Sequence, residues 1–214
     1  MNAIIVSDLH LDSVFADPER FVKFIRTLPA GTALILNGDV IDNPLARLPD
    51  PARIALEEII GESEQRRVIW IQGNHDMRFR PKRPGKVEFV GFFSIPGALH
   101  VSHGFKFMPF WRLADATLSV SNYLSAGGKR PLNVVRIIRR IPHAYSAMKN
   151  HLCQKAVRFA RKNGFPVIIC GHVHDACDIT VNGTRYINTG AWTNRVAHYA
   201  QLDENTVSLG TFST

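Results

Sequence analysis

Cysteine is scarce in this chain. There are three among 214 residues, Cys153, Cys170 and Cys177, an odd number without the spacing of a thiolate metal site or a disulfide framework. Free thiols fit a reducing compartment, so a cytoplasmic location is expected. Long apolar runs are missing as well: none approaches the roughly 18–20 residues of a membrane span. The opening Met1-Asn2-Ala3-Ile4-Ile5-Val6 has no basic stretch and no small-residue cleavage site, so no secretory leader is expected. There are no internal repeats or low-complexity linkers. Apolar residues make up 45% and charged residues 21%, which excludes disordered and collagen-like classes. At this length one domain spanning residues 1–214 is expected.

Acid is what the middle of the chain lacks. Between Lys106 and Lys162 stand twelve Lys/Arg and a single acid, Asp115, a net of +11 inside a chain of net +8. The remainder is then slightly acidic, at −3. A basic insert at about 106–163 on a near-neutral domain points to an anionic partner: a phosphate, a lipid headgroup or nucleic acid.

What is present is an alternation. Short β-branched runs at Ala3–Val6, Ala33–Leu36, Val68–Ile71, Leu99–Val101 and Val167–Cys170 read as strands. Pro18–Leu28 and Pro51–Ile60 read as helices, each opened by an Asp-Pro pair. Two hairpins are expected near the C-terminus, one turning at Asn182-Gly183 and one at Asp203–Asn205. The fold class is therefore α/β, a sheet layered by helices, with a basic helical insert. Within that insert, Leu132–Ile141 and Ala144–Arg161 carry helical spacing, and an amphipathic basic helix of this kind suits a membrane surface or a lipid cap.

Each of the five predicted strands ends in side chains able to do chemistry. Asp8 and His10 follow the first, and Gly38-Asp39 with Asp42 the second. Gly73-Asn74-His75-Asp76 follows the third, His103 the fourth, and Gly171-His172-Val173-His174 the fifth. Ligands gather at the carboxyl ends of strands in α/β sheets. Carboxylate, imidazole and amide donors without thiolate suit a hard or borderline divalent ion, manganese first, with iron or zinc as alternatives. The donors outnumber what one ion takes, so two ions sharing a carboxylate are expected. His100, His143, His151 and His198 fall outside the pattern.

Taken together, these residues resemble the calcineurin-like metallophosphoesterase superfamily, over essentially the whole chain. The resemblance implies that Asp8, His10 and His174 hold one ion, that Asn74, His103 and His172 hold the other, and that Asp39 bridges them. It implies hydrolysis of a phosphoester or phosphoanhydride by metal-activated hydroxide. His75 and Asp76 are the catalytic candidates. His75 would protonate the leaving oxygen or steady the phosphate, while Asp76, like Asp42, would orient an imidazole. Arg78 or Arg80, in the loop that follows, is expected to clamp a further phosphate, and the fold the resemblance implies is a layered β-sandwich flanked by helices.

Within the superfamily the chain looks most like the UDP-2,3-diacylglucosamine pyrophosphatases. It shares Ser7-Asp8-Leu9-His10-Leu11, a basic insert between the fourth and fifth motifs, and the closing Gly190-Ala191-Trp192. That likeness implies a nucleotide-linked lipid substrate and peripheral contact with the inner face of a membrane. Two departures stand out: His75 replaces the Arg of the main branch, and Phe105 stands where that branch has Asp. The alternatives are a nucleotide or cyclic-nucleotide phosphodiesterase, or a nuclease that stacks bases on Phe105, Phe107, Phe110, Trp111 and Tyr123. A non-catalytic scaffold is disfavoured because every ligand position is filled, and a protein serine/threonine phosphatase because Asp76 is not Glu.

Overall fold

The early strands are apolar at every position, which a strand needs only when both of its faces are buried. The computed structural model describes residues 1–109, 142–204 and 206–213, and it shows both faces covered. One sheet has six strands in the order β11-β10-β1-β2-β3-β4 and the other five, in the order β5-β6-β7-β9-β8. In the first sheet, β1 (Ala3–Val6), β2 (Ala33–Asn37), β3 (Val68–Ile71) and β4 (Glu88–Val90) run parallel. The hairpin β10 (Ala197–Asp203) and β11 (Thr206–Phe212) joins antiparallel to β1. In the second sheet, β6 (Leu99–Val101), β7 (Val167–Cys170) and β9 (Thr184–Asn188) run parallel, with β5 (Phe93–Ile95) and β8 (Cys177–Val181) antiparallel at the edges.

Side chains alternate across the pleat and so separate into layers. Ala3, Ile5, Ile35, Ile69 and Ile71 of the first sheet meet Leu99, Val101, Ile169 and Ile187 of the second. Their neighbours Ile4, Val6, Leu34, Leu36 and Trp70 face outward, onto α1 (Pro18–Arg26) and α2 (Asp50–Glu62), through Phe21, Phe24, Ile25, Ala55 and Ile59. Behind the second sheet, Ile168, Cys170 and Tyr186 pack on Leu152, Ala156, Val157 and Ala160 of α3 (Pro142–Lys162). The result is a mixed α/β sandwich with helices on both outer faces.

Local chemistry explains the element ends. Asp17 caps α1 by accepting from the Arg20 N–H at 2.9 Å, and Pro18 occupies the first turn. Arg20 is buried at 8% exposure, and its guanidinium donates to the carbonyls of Trp192, Asn194 and Arg195. That ties α1 to the loop after β9. Both expected hairpins form, the first turning at Asn182 and Gly183, which have φ of 49° and 79°. The helix expected over Ala144–Arg161 is α3, while the one expected over Leu132–Ile141 lies outside the described residues. β4 and β5 were not anticipated: at three partly exposed residues each, they carry no period to read. No helix among the described residues is long and apolar enough to cross a membrane.

Candidate metal centre

The chemistry-bearing loops leave the carboxyl ends of β1, β2 and β3 in one sheet and of β6 and β7 in the other. Each strand must turn sharply there if its polar side chain is to reach a common crevice. Seven described non-glycine residues have positive φ, and five of them are Asp8, His10, Asp39, His172 and His174, at φ 55°, 44°, 54°, 73° and 56°. Such conformations cost about 1–3 kcal/mol each and persist only where the surroundings impose them. Here the surroundings are hydrogen bonds between neighbouring loops. The N–H of Asp8 donates to Gly38 O at 3.0 Å, that of His10 to Asp39 O at 2.9 Å, and that of Gly171 to His103 O at 3.0 Å. Two glycines permit the close approach: a Cβ on Gly73 would fall 2.1 Å from Asp39 Oδ1, and one on Gly171 would fall 2.4 Å from Asp8 Oδ2.

Three groups of potential ligand atoms result, the atoms of each lying within 4.8 Å of one another: Asp8, His10 and His174; His10, Asp39 and His75; and Asp39, His103 and His172. Asp39 belongs to two of them. His174 Nε2 lies 3.0 Å from Asp8 Oδ1 and 3.2 Å from His10 Nε2. His103 Nε2 lies 3.1 Å from Asp39 Oδ2.

Tautomers follow from what the other ring nitrogens meet. His103 Nδ1 must donate to the Asn37 carbonyl at 2.8 Å, and His10 Nδ1 to Asp42 Oδ1 at 3.0 Å. His75 Nδ1 sits 3.0 Å from both Asp42 Oδ1 and Asp42 O. One carboxylate, Asp42, thereby orients two imidazoles, as expected. Each Nε2 then presents a lone pair to the crevice, several of them toward carboxylate oxygens. Two lone pairs about 3 Å apart repel unless a proton or a metal ion lies between them. The buried Asn74 Oδ1 has no hydrogen-bond partner among the described residues, which a buried carbonyl tolerates badly unless it binds something else. This donor set fits a pair of divalent ions.

The electrostatics agree. Burial opposes charge on Asp8, but His174 and His103 hold its carboxyl well below the usual range. Burial likewise opposes charge on Asp39, where His103 and His75 prevail, and on Asp42, where the bonds from His10 and His75 do. Against burial, Asp39 and Asp8 lift His103 to about 9, and Asp39 with Asp42 lifts His75 to about 10. Burial and the neighbouring His103 push His172 down to about 3. Without metal, protons on His75 and His103 offset the carboxylates; bound cations would do the same.

One expectation needs correction. Asp76 orients no imidazole. Its buried carboxylate accepts from the N–H groups of Val40 at 2.7 Å and Gly73 at 2.8 Å and from the Trp70 indole at 3.0 Å, bracing the loops after β2 and β3 from beneath. Arg78 and Arg80 are both exposed in the loop that follows, Arg80 lying over the Phe89 ring at 4.2 Å and donating to Phe79 O at 2.6 Å. Asp12 was missed: its carboxylate accepts from the N–H groups of Asp42 at 2.5 Å and Asn43 at 2.9 Å, setting Asp42 in place. The two-residue rhythm Asp8-x-His10-x-Asp12 was the available signal.

Strand-end carboxylates and imidazoles converging at the rim of such a sandwich define a metal-dependent phosphoesterase architecture. Residues 1–176 match the family described as Calcineurin-like phosphoesterase, and the chain belongs to that family of metal-dependent hydrolases. No curated relative matches. Among solved structures, Vps29 complexed with zinc from Entamoeba histolytica shares 13% identity over 99% of this chain and 98% of that one, with a TM-score of 0.50. Vacuolar Protein Sorting 29 from Cryptosporidium parvum shares 13% identity over 100% and 98%, with a TM-score of 0.50. YfcE, a phosphoesterase from E. coli, shares 16% identity over 97% and 91%, with a TM-score of 0.49. At these identities the likeness is one of fold.

Proposed function

We propose that the chain is a dinuclear phosphohydrolase. Asp8, His10 and His174 hold one divalent ion, Asn74, His103 and His172 the other, and Asp39 bridges them. The observation that carries this reading is Asp39, which shares one ligand group with His10 and another with His103 and His172, with imidazole nitrogens turned toward it and toward Asp8. Manganese is the first candidate on donor chemistry, with iron and zinc behind it. Bound there, the ions supply Lewis acidity and a water that deprotonates near neutral pH. The chain's own groups do the rest. Asp42 fixes the tautomer and direction of His75, so that Nε2 faces the crevice 4.0 Å from Asp39 Oδ2. A proton on that nitrogen is within the chain's means to deliver to a leaving oxygen. Arg78, exposed in the loop beyond, is available to a second phosphate.

The substrate we favour is a nucleotide-linked lipid pyrophosphate of the UDP-2,3-diacylglucosamine type. The support is the Ser7–Leu11 and Gly190-Ala191-Trp192 segments and the basic insert, which would meet the lipid or the membrane that holds it. A second reading, a phosphodiester with an alkoxide leaving group, is favoured by His75 itself. An alkoxide needs a proton, whereas a phosphate monoester leaves readily without one.

Phosphorus NMR of UDP-2,3-diacylglucosamine with the protein, in Mn²⁺ and in EDTA, tests the first reading. UMP and a lipid monophosphate should form only with metal. If that substrate is untouched while a generic aryl phosphodiester is hydrolysed, the lipid reading fails and the dinuclear one stands. His75→Ala separates the leaving groups: an alkyl diester should lose about 10²–10⁴-fold in kcat, and a nitrophenyl diester much less.

A further inference from the structure

The described part of the basic insert does not spread its charge over a convex surface. A cleft of about 450 Å³ lies between the single 3-10 turn at Phe105–Phe107 and the last three turns of α3. Lys106 lines one wall and Lys155, Arg158 and Lys162 the other, with Phe107 and Phe159 also in the lining and no carboxylate among its described residues. Positions 155, 158 and 162 follow helical spacing and share one exposed face. The opposite face, Leu152, Ala156, Val157 and Ala160, packs on the sheet. The three helix cations therefore lie off the face that packs on the sheet.

None of Lys106, Lys155, Arg158 and Lys162 forms an ion pair among the described residues. The stretch 110–141, adjoining in sequence, carries six Lys/Arg and one acid, so its own charge cannot offset them. Four like charges around one concave space repel, and a protein carries such an arrangement most readily when an anion resolves it. The volume suits a small molecule. The phenylalanine rings suit a flat or apolar body attached to the charge.

We propose that this cleft is a second phosphate-binding site, separate from the metal centre, for a ligand that carries phosphate charge on a flat or apolar body. Both a free nucleotide and a phospholipid headgroup have that chemistry. The site does not depend on whether the metal centre cuts an anhydride or a diester.

The test uses the full Mn²⁺-loaded chain, K155E/R158E, and K23E/K86E as a control with the same charge change elsewhere on the exposed surface. UMP is titrated calorimetrically at low salt. Flotation is measured with phosphatidylcholine vesicles with and without phosphatidylglycerol. Loss of one UMP site per chain in K155E/R158E, with at least tenfold weaker binding there and none of it in the control, establishes a free nucleotide as the source. Flotation only with phosphatidylglycerol vesicles, lost in the same variant and kept in the control, establishes a lipid headgroup. If wild type binds neither probe, or if K155E/R158E matches wild type or the control, the site is overturned. The substituted side chains are exposed, so a folded variant is expected, and its circular dichroism spectrum verifies it.

Discussion

The two sheets bring different chemistry to the rim they share. The first ends its strands in carboxylates, Asp8 and Asp39, together with an amide and the imidazoles of His10 and His75. The second ends its strands in imidazoles alone: His103, His172 and His174. Neither sheet holds a complete ion site under the proposed assignment. In that assignment the group at Asp8 and His10 takes His174 from across the sandwich and Asp39 takes His103 and His172, while His10, Asp39 and His75 form a further group within the first sheet alone. Cross-sheet hydrogen bonds already anticipate the join, His103 Nδ1 to Asn37 O at 2.8 Å and the His172 N–H to Asp8 Oδ2 at 2.9 Å. Metal binding should therefore couple to the stability of the whole sandwich and not to one loop.

Asp39→Asn should break the comparison most severely, because in the proposed assignment that carboxylate bridges both ions. Hydrolysis should fall by more than the 10–100-fold (about 1.4–2.7 kcal/mol) usual for losing a group that merely orients a ligand, and elemental analysis should find both ions depleted. Asp8→Asn should deplete mainly one. Equal depletion in the two variants would argue against a shared Asp39.

Chelation tests the join directly. A ligand at a hundred times its Kd stabilises by about 2.7 kcal/mol, so EDTA should lower Tm by roughly 5–10 °C for a chain of this size, and added Mn²⁺ should restore it. An unchanged Tm would mean that the ions do not link the sheets.

Asp42→Asn sharpens the picture within the first sheet. The amide oxygen can still accept from both His10 and His75 but lacks the carboxylate's charge, and activity or metal affinity should drop about 10–100-fold with little change in fold. A titration of metal-dependent activity against Mn²⁺ concentration reads it.

The smallest effect belongs to a second-sheet imidazole away from the rim. His100 is buried beside Ser94 Oγ and among Phe92, Phe159 and Phe165, and burial pushes its pKa down to about 4. Unfolded, it takes up a proton near 6.5; folded, it resists until about 4. Its contribution to stability is therefore full above pH 6.5 and shrinks as pH falls through that window. Urea denaturation at pH 7 and pH 5 should show a larger loss in wild type than in His100→Gln.

Much of this was readable in advance, for identifiable reasons. The five strands that carry chemistry are buried on both faces, so they stand out as apolar runs, and each ends in side chains that cannot be buried without partners. The Asn182-Gly183 turn announces its hairpin because only such residues take positive φ there cheaply. β4 and β5 gave no such signal, being three residues long and half exposed. Asp76 was misjudged because adjacency to His75 says nothing about direction; in the fold its carboxylate points under the loops, to Val40, Gly73 and the Trp70 indole.

By itself the sequence determined the residue types at each strand end, the alternation that buries the strands, and the concentration of basic charge between Lys106 and Lys162. These are local properties, set by spacing and composition. Only the tertiary structure decided that three of those strand ends belong to one sheet and two to another. It also decided that Asp42 serves two imidazoles and that Lys106 faces Lys155 and Arg158 across a cleft. Such relations join residues far apart in the chain, and packing brings them together through contacts that no local pattern encodes.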